Sequence, residues 1–153
     1  MCAAIHALSA PATLFLLQGG SEIVPEAAER IAYIRDHAVA WRSGWALWMV
    51  SAMSLLGFYA WWGARTGRPR AAYAAFAVAG AGIVLDWTTE SLYIGWLPHR
   101  FETIAPLGTL LSAGGANGLY CVAGAMLTAA HPGLPRWMLI APWPGRSGPR
   151  DSD

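Results

Sequence analysis

Two carboxylates, Asp86 and Glu90, lie four positions apart inside a long apolar stretch, residues 71–97. Fifteen uncharged residues precede Asp86, and the stretch becomes apolar again after Glu90. A helix of this length and hydrophobicity is predicted to span a membrane. Ionisable side chains inside such a helix are energetically expensive, so they are candidates for function. The spacing places both on one helix face, and Tyr93 continues that face.

The other apolar stretches carry polar residues at a similar predicted depth. With a rise of about 1.5 Å per residue, Glu90 lies ~10 Å and Asp86 ~16 Å below the outer end of their helix. Counting inward along the other helices gives comparable depths for four further residues, Ser51, Ser54, Ser112 and Asn117. One interpretation is a polar cavity, open to the outside, that binds a proton or cation. The other is a buried hydrogen-bonded layer that fixes how the helices pack. The sequence leaves both open.

Two histidines, His37 and His99, are predicted at the outer rim of this cavity. The histidines lack metal-type spacing such as His-x-x-x-His. The sequence also has no Gly-rich phosphate loop, no Cys-x-x-Cys and no nucleophile elbow beside the carboxylates. We therefore predict no metal, no cofactor and no catalytic residue, and a membrane enzyme is the least favoured of three functional classes.

The composition is that of a protein embedded in a lipid bilayer. Of 153 residues, 56% are hydrophobic and only 12% are charged, about half the charged share of an ordinary soluble domain. The length suits one domain. The net charge is +1, and the ten basic residues, all arginine, are scattered along the chain. This distribution argues against a nucleic-acid partner.

Four membrane spans are predicted, over residues 2–19, 43–64, 71–97 and 104–130. The second has tryptophans near both ends, as in the aromatic belts of spanning helices. Residues 25–41 repeat apolar positions at three- and four-residue spacing, which predicts an amphipathic helix at the membrane surface. Residues 131–153 are predicted to form a short interfacial segment and a disordered polar tail. The predicted fold class is an all-α integral membrane bundle of about four transmembrane helices plus one interfacial helix.

Charged connectors predict the orientation in the membrane. The connector 65–70 carries three arginines and no acid, which by the positive-inside rule places it in the cytoplasm. Both termini then lie on the cytoplasmic side of a bacterial inner membrane. Residues 2–19 lack a basic start, so a cleaved signal peptide is not predicted. Small residues at positions 114 and 118 favour close helix packing, within the bundle, in a homo-oligomer or against another membrane protein.

Three stretches stand out as a group: His37-Ala-Val-Ala-Trp41-Arg42-Ser-Gly-Trp45-Ala-Leu-Trp48-Met49, then Asp86-Trp87-x-x-Glu90-x-x-Tyr93, then residues 114–120. Over residues 30–130 the chain resembles uncharacterised bacterial multi-pass membrane proteins. The resemblance implies a polytopic architecture and carries over no activity and no site residue. That group continues into further spans, which leaves open a shortened form of a longer protein.

Two functional interpretations follow from the sequence. The leading one is an accessory or structural component of the inner membrane. The alternative is a small transporter or channel subunit in which Asp86 and Glu90 bind a proton or cation.

Overall fold

The computed structural model describes residues 2–131 and 133, and within them every regular element is helical. The predicted all-α class is confirmed for this part of the chain. The predicted interfacial segment and polar tail lie outside the described residues, apart from His131 and Gly133. The elements are α1 (Cys2–Leu17), a 3-10 turn (Gln18–Gly20), α2 (Ala27–Asp36), α3 (Ala38–Gly63), α4 (Pro69–Gly95), α5 (Phe101–Thr109), a π-helical segment (Leu110–Ala116) and α6 (Asn117–Ala130).

Three helical stretches are long and apolar enough to cross a membrane: Cys2–Gly20, Pro69–Gly95 and Phe101–Ala130. The third is continuous from α5 through the π-helical segment to α6, and we call it the last span. The three stretches coincide with the predicted spans 2–19, 71–97 and 104–130. Helix α3 is 26 residues long but is not among them, because its tryptophan, serine and glycine residues lower its mean hydropathy.

Helix α2 is shorter than the amphipathic helix predicted over residues 25–41. The chain leaves the helical conformation at His37, where φ is −118° and ψ is 35°, and α3 begins at the next residue. Trp41 therefore belongs to α3. On α2, Ile34 is buried and the Tyr33 hydroxyl donates to the Leu16 carbonyl at 3.0 Å, so this helix covers the end of the bundle where α1 ends and α3 begins.

The long helices pack in the order α1, α3, α4 and last span. Helix α4 lies in the middle, and α1 packs mainly on α3, so α1 and the last span make no extensive contact with each other. One apolar core surrounds Ala79, Tyr120 and Leu127, and a second, nearer the end covered by α2, surrounds Trp41 and Leu97. The acidic part of α4 lies between these two cores.

The close contact of α4 with the last span depends on Gly82. A Cβ at this position would lie 2.6 Å from Tyr120 Cε1 and 3.2 Å from the Ala116 carbonyl oxygen, whereas a Cβ at Gly80 meets nothing within 4 Å. We expect Gly82→Ala to lower the free energy of unfolding by about 1–3 kcal/mol. The control Gly80→Ala, on the same helix, should leave it unchanged or raise it by up to about 1 kcal/mol. Thermal unfolding in mild detergent measures both, and equal stability of the two variants would contradict this packing.

Candidate functional site

Asp86 is buried in α4, and both of its carboxylate oxygens accept hydrogen bonds. Ser112 Oγ donates to Oδ1 at 2.8 Å, and the Tyr120 hydroxyl donates to Oδ2 at 3.0 Å. Both donors belong to the last span, so the two bonds connect α4 to that span. Buried carboxylates that are fully bonded in this way commonly serve to fix the packing of helices.

Glu90 lies one helical turn beyond Asp86 in a different setting. Its side chain is 1% exposed, and neither carboxylate oxygen has a hydrogen-bond partner among the described residues. Arg42 and Arg100, the basic residues nearest in sequence to the outer ends of α3 and α4, are exposed. Burying an unpartnered carboxylate is costly unless it takes up a proton or a cation. Among the side chains of α4, Glu90 is therefore the one for which a bound proton or cation is most expected.

A cavity of about 720 Å³ opens between α1 and the last span, and residues of α3 and α4 also line it. We call it the outer cavity. Tyr93 and Leu97 line it from α4, and Ser112, the donor to Asp86, lines it from the last span. Neither Asp86 nor Glu90 lines the cavity itself, and the hydrogen bond from Ser112 to Asp86 is what joins the Asp86 carboxyl group to the cavity wall.

Aromatic side chains form much of the cavity wall. Trp41, Trp45 and Trp48 of α3 all line it, and the Trp45 ring lies 4.8 Å from the Tyr93 ring. Trp45 Nε1 and Thr13 Oγ1 are buried and have no hydrogen-bond partner in the described part of the chain. Buried polar groups without partners beside a cavity mark places where a ligand or water is expected to bond. The faces of tryptophan and tyrosine rings also attract cations.

Glu22 and Arg30 supply the charged groups at the rim of the outer cavity. Glu22 Oε1 accepts a hydrogen bond from the Thr109 hydroxyl at 3.0 Å, and Arg30 Nε donates to the Gly20 carbonyl at 3.2 Å. The predicted rim residues His37 and His99 are exposed and do not line the cavity. The sequence did not indicate Glu22 because the segment between α1 and α2 has no periodic pattern.

Ser51 and Ser54 belong to a separate polar cluster between α1 and α3. Ser51 Oγ is buried and donates to Ser9 Oγ at 2.5 Å, and Ser54 Oγ lies 3.3 Å from His6 Nδ1. Asn117 is exposed and faces away from the contact with α4. Among the seven predicted site residues, Tyr93 and Ser112 line the outer cavity, Asp86 is bonded to Ser112, and Glu90 lies one helical turn from Asp86 on α4.

The π-helical segment explains how Ser112 and Tyr120 can both bond to Asp86. In a regular α-helix, positions 112 and 120 are offset by about 80°, so both side chains would not point at one carboxylate. The wider turns of a π-helix rotate less per residue and reduce this offset. Such segments are rare and frequently occur at functional sites. Pro106 and the Gly114–Gly115 pair are the sequence features that accompany this one.

No protein-family model matches the chain, and neither a curated protein nor a solved structure is similar to it. Within residues 2–131 and 133, no group of three or more histidine, cysteine or acidic side chains is arranged to hold a metal ion.

Proposed function

We propose that this chain is a four-span helical protein of a bacterial cytoplasmic membrane, with α1, α3, α4 and the last span crossing the bilayer. Helix α3 has 26 residues and is about 39 Å long at 1.5 Å per residue, which exceeds a hydrocarbon core of about 30 Å. It also packs between α1 and α4, both of which are apolar enough to span. The three arginines of the connector 65–70 favour an orientation with both termini in the cytoplasm.

We further propose that the outer cavity is the entrance to a binding site in a small transporter or channel subunit, and that Glu90, which is buried and does not line the cavity, binds the proton or cation. One observation carries this proposal: the Glu90 carboxyl group is buried and unbonded among the described residues, while the neighbouring Asp86 is bonded at both oxygens. A purely structural role accounts for Asp86 but gives no reason to bury Glu90. The aromatic wall of Trp45 and Tyr93 suits a positively charged ligand.

An accessory or structural role is the second candidate, and the exposed edge of the bundle favours it. Helix α1 packs mainly on α3 and leaves Leu8, Leu14 and Phe15 more than half exposed. Another membrane protein or a second copy of the chain would cover this edge by helix packing. Under this alternative, the charge of Glu90 is dispensable for the cellular phenotype.

Reconstitution of the full chain in liposomes tests the proposal. A pH-sensitive dye inside the vesicles reports proton movement when a gradient of Na⁺ or K⁺ is imposed. We expect the wild type to exchange protons for a cation, and Glu90→Gln to fall to the rate of protein-free vesicles. The control Glu102→Gln makes the same change at an exposed acid of α5 and should retain the wild-type rate. A wild type no faster than protein-free vesicles would reject transport, and an unchanged rate in Glu90→Gln would reject the role of Glu90.

A further inference from the structure

A second groove, of about 510 Å³, lies at the other end of the bundle, between the end of α3 and the start of α4. We call it the inner groove. Its walls are apolar and include Ala60, Ala64, Tyr73 and Phe76. The two helices approach closely behind it, since a Cβ at Gly63 would lie only 3.0 Å from the Ala72 Cβ. Small residues on both helices therefore leave the inner groove open along the contact between the helices.

The connector 65–70 places positive charge at the mouth of this groove. Arg68 lines the groove itself and Arg70 follows it at the start of α4, whereas the Arg65 guanidinium lies 4.0 Å from the Trp61 ring and donates to the Trp61 carbonyl. The connector is well bonded: the Thr66 hydroxyl donates to the Gly63 carbonyl at 2.9 Å and accepts the Arg68 backbone N–H at 3.1 Å. Among the described residues, no carboxylate lies within 4.0 Å of these three guanidinium groups. The charge at the mouth is therefore not neutralised within that part of the chain.

We infer that the inner groove binds an anionic phospholipid, with one acyl chain along the groove and the phosphate held by Arg68. The connector joins two membrane helices, so it lies at the level of the lipid headgroups. From Arg68 to Phe76 the groove follows α4 for about 12 Å, which accommodates the upper part of an acyl chain. An apolar groove alone accepts the chain of any lipid, whereas Arg68 selects a negatively charged headgroup. This site does not involve Glu90 and is independent of the binding role proposed for the outer cavity, but it rests on the proposed membrane position of α3 and α4.

Native mass spectrometry of the full chain, released from mild detergent, tests the inference. We would titrate phosphatidylglycerol and phosphatidylcholine with identical acyl chains, and glycerol phosphate as the headgroup alone. We expect phosphatidylglycerol to bind more tightly than phosphatidylcholine, and Arg68→Gln to weaken only the former, by about fivefold. The control Arg35→Gln alters an exposed arginine of α2 and should change neither affinity.

A second variant, Ala60→Leu, fills the groove without altering its charge and should weaken the binding of both lipids. This variant keeps the inference testable if Arg68→Gln does not fold. Equal affinity for the two lipids would overturn the selection by charge. Unchanged binding in Ala60→Leu would overturn the position of the acyl chain. Glycerol phosphate binding as tightly as phosphatidylglycerol would show an anion site in place of a lipid site.

Discussion

Replacing Asp86 with asparagine will destabilise the contact between α4 and the last span. The carboxylate accepts one hydrogen bond at each oxygen, from Ser112 and from Tyr120, whereas an amide has one oxygen to offer. One hydroxyl therefore loses its acceptor in the protein interior, which costs about 1–3 kcal/mol. Thermal unfolding of Asp86→Asn and wild type in the same mild detergent measures this loss as a lower Tm.

A double-mutant cycle with Tyr120→Phe separates the lost hydrogen bond from other effects of the substitution. If Tyr120 bonds to Asp86, then Asp86→Asn costs less in the Tyr120→Phe background than in the wild type. Glu102→Gln serves as the control, because it makes the same acid-to-amide change at an exposed position and is expected to leave Tm unchanged. Strictly additive costs would contradict a bond between these two side chains.

The long helices could be predicted because the length and hydrophobicity of an apolar stretch are enough to identify a candidate membrane helix. Helix α4 was predicted within two residues at each end, and the shared face of Asp86, Glu90 and Tyr93 follows directly from helical spacing. The partner of Asp86 was harder to predict. The prediction from the sequence treated the last span as a regular α-helix. The π-helical segment changes which of its residues face α4.

The outer cavity could not be predicted from sequence patterns either. Tryptophans at the start of α3 suggested an aromatic belt facing the bilayer, but Trp41 is only 2% exposed. Its Nε1 donates to the Tyr93 carbonyl at 3.0 Å, which has no intrahelical partner at the end of α4. Hydropathy records that a tryptophan lies near a helix end and does not record which side of the helix it faces. For the same reason, Arg30 could not be assigned to the cavity in advance.

Replacing Glu90 with methionine will stabilise the protein. Methionine has a similar length and flexibility, so it fills the same volume without a buried charge or polar atom. Removing an unpartnered buried polar group is expected to raise the free energy of unfolding by about 1–3 kcal/mol. The measurement is the Tm of Glu90→Met against wild type in mild detergent. Glu102→Met is the control, since the same change at an exposed acid should leave Tm nearly unchanged.

The sign of this effect decides between the two functions proposed for the chain. A more stable Glu90→Met that no longer exchanges protons for cations would mean that the buried carboxyl group is kept at a cost in stability, as functional groups often are. A less stable Glu90→Met would mean that Glu90 makes bonds that hold the bundle together. The observation that carries the binding-site proposal would then be lost, and the accessory role, with the exposed edge of α1 as its contact surface, would become the better explanation.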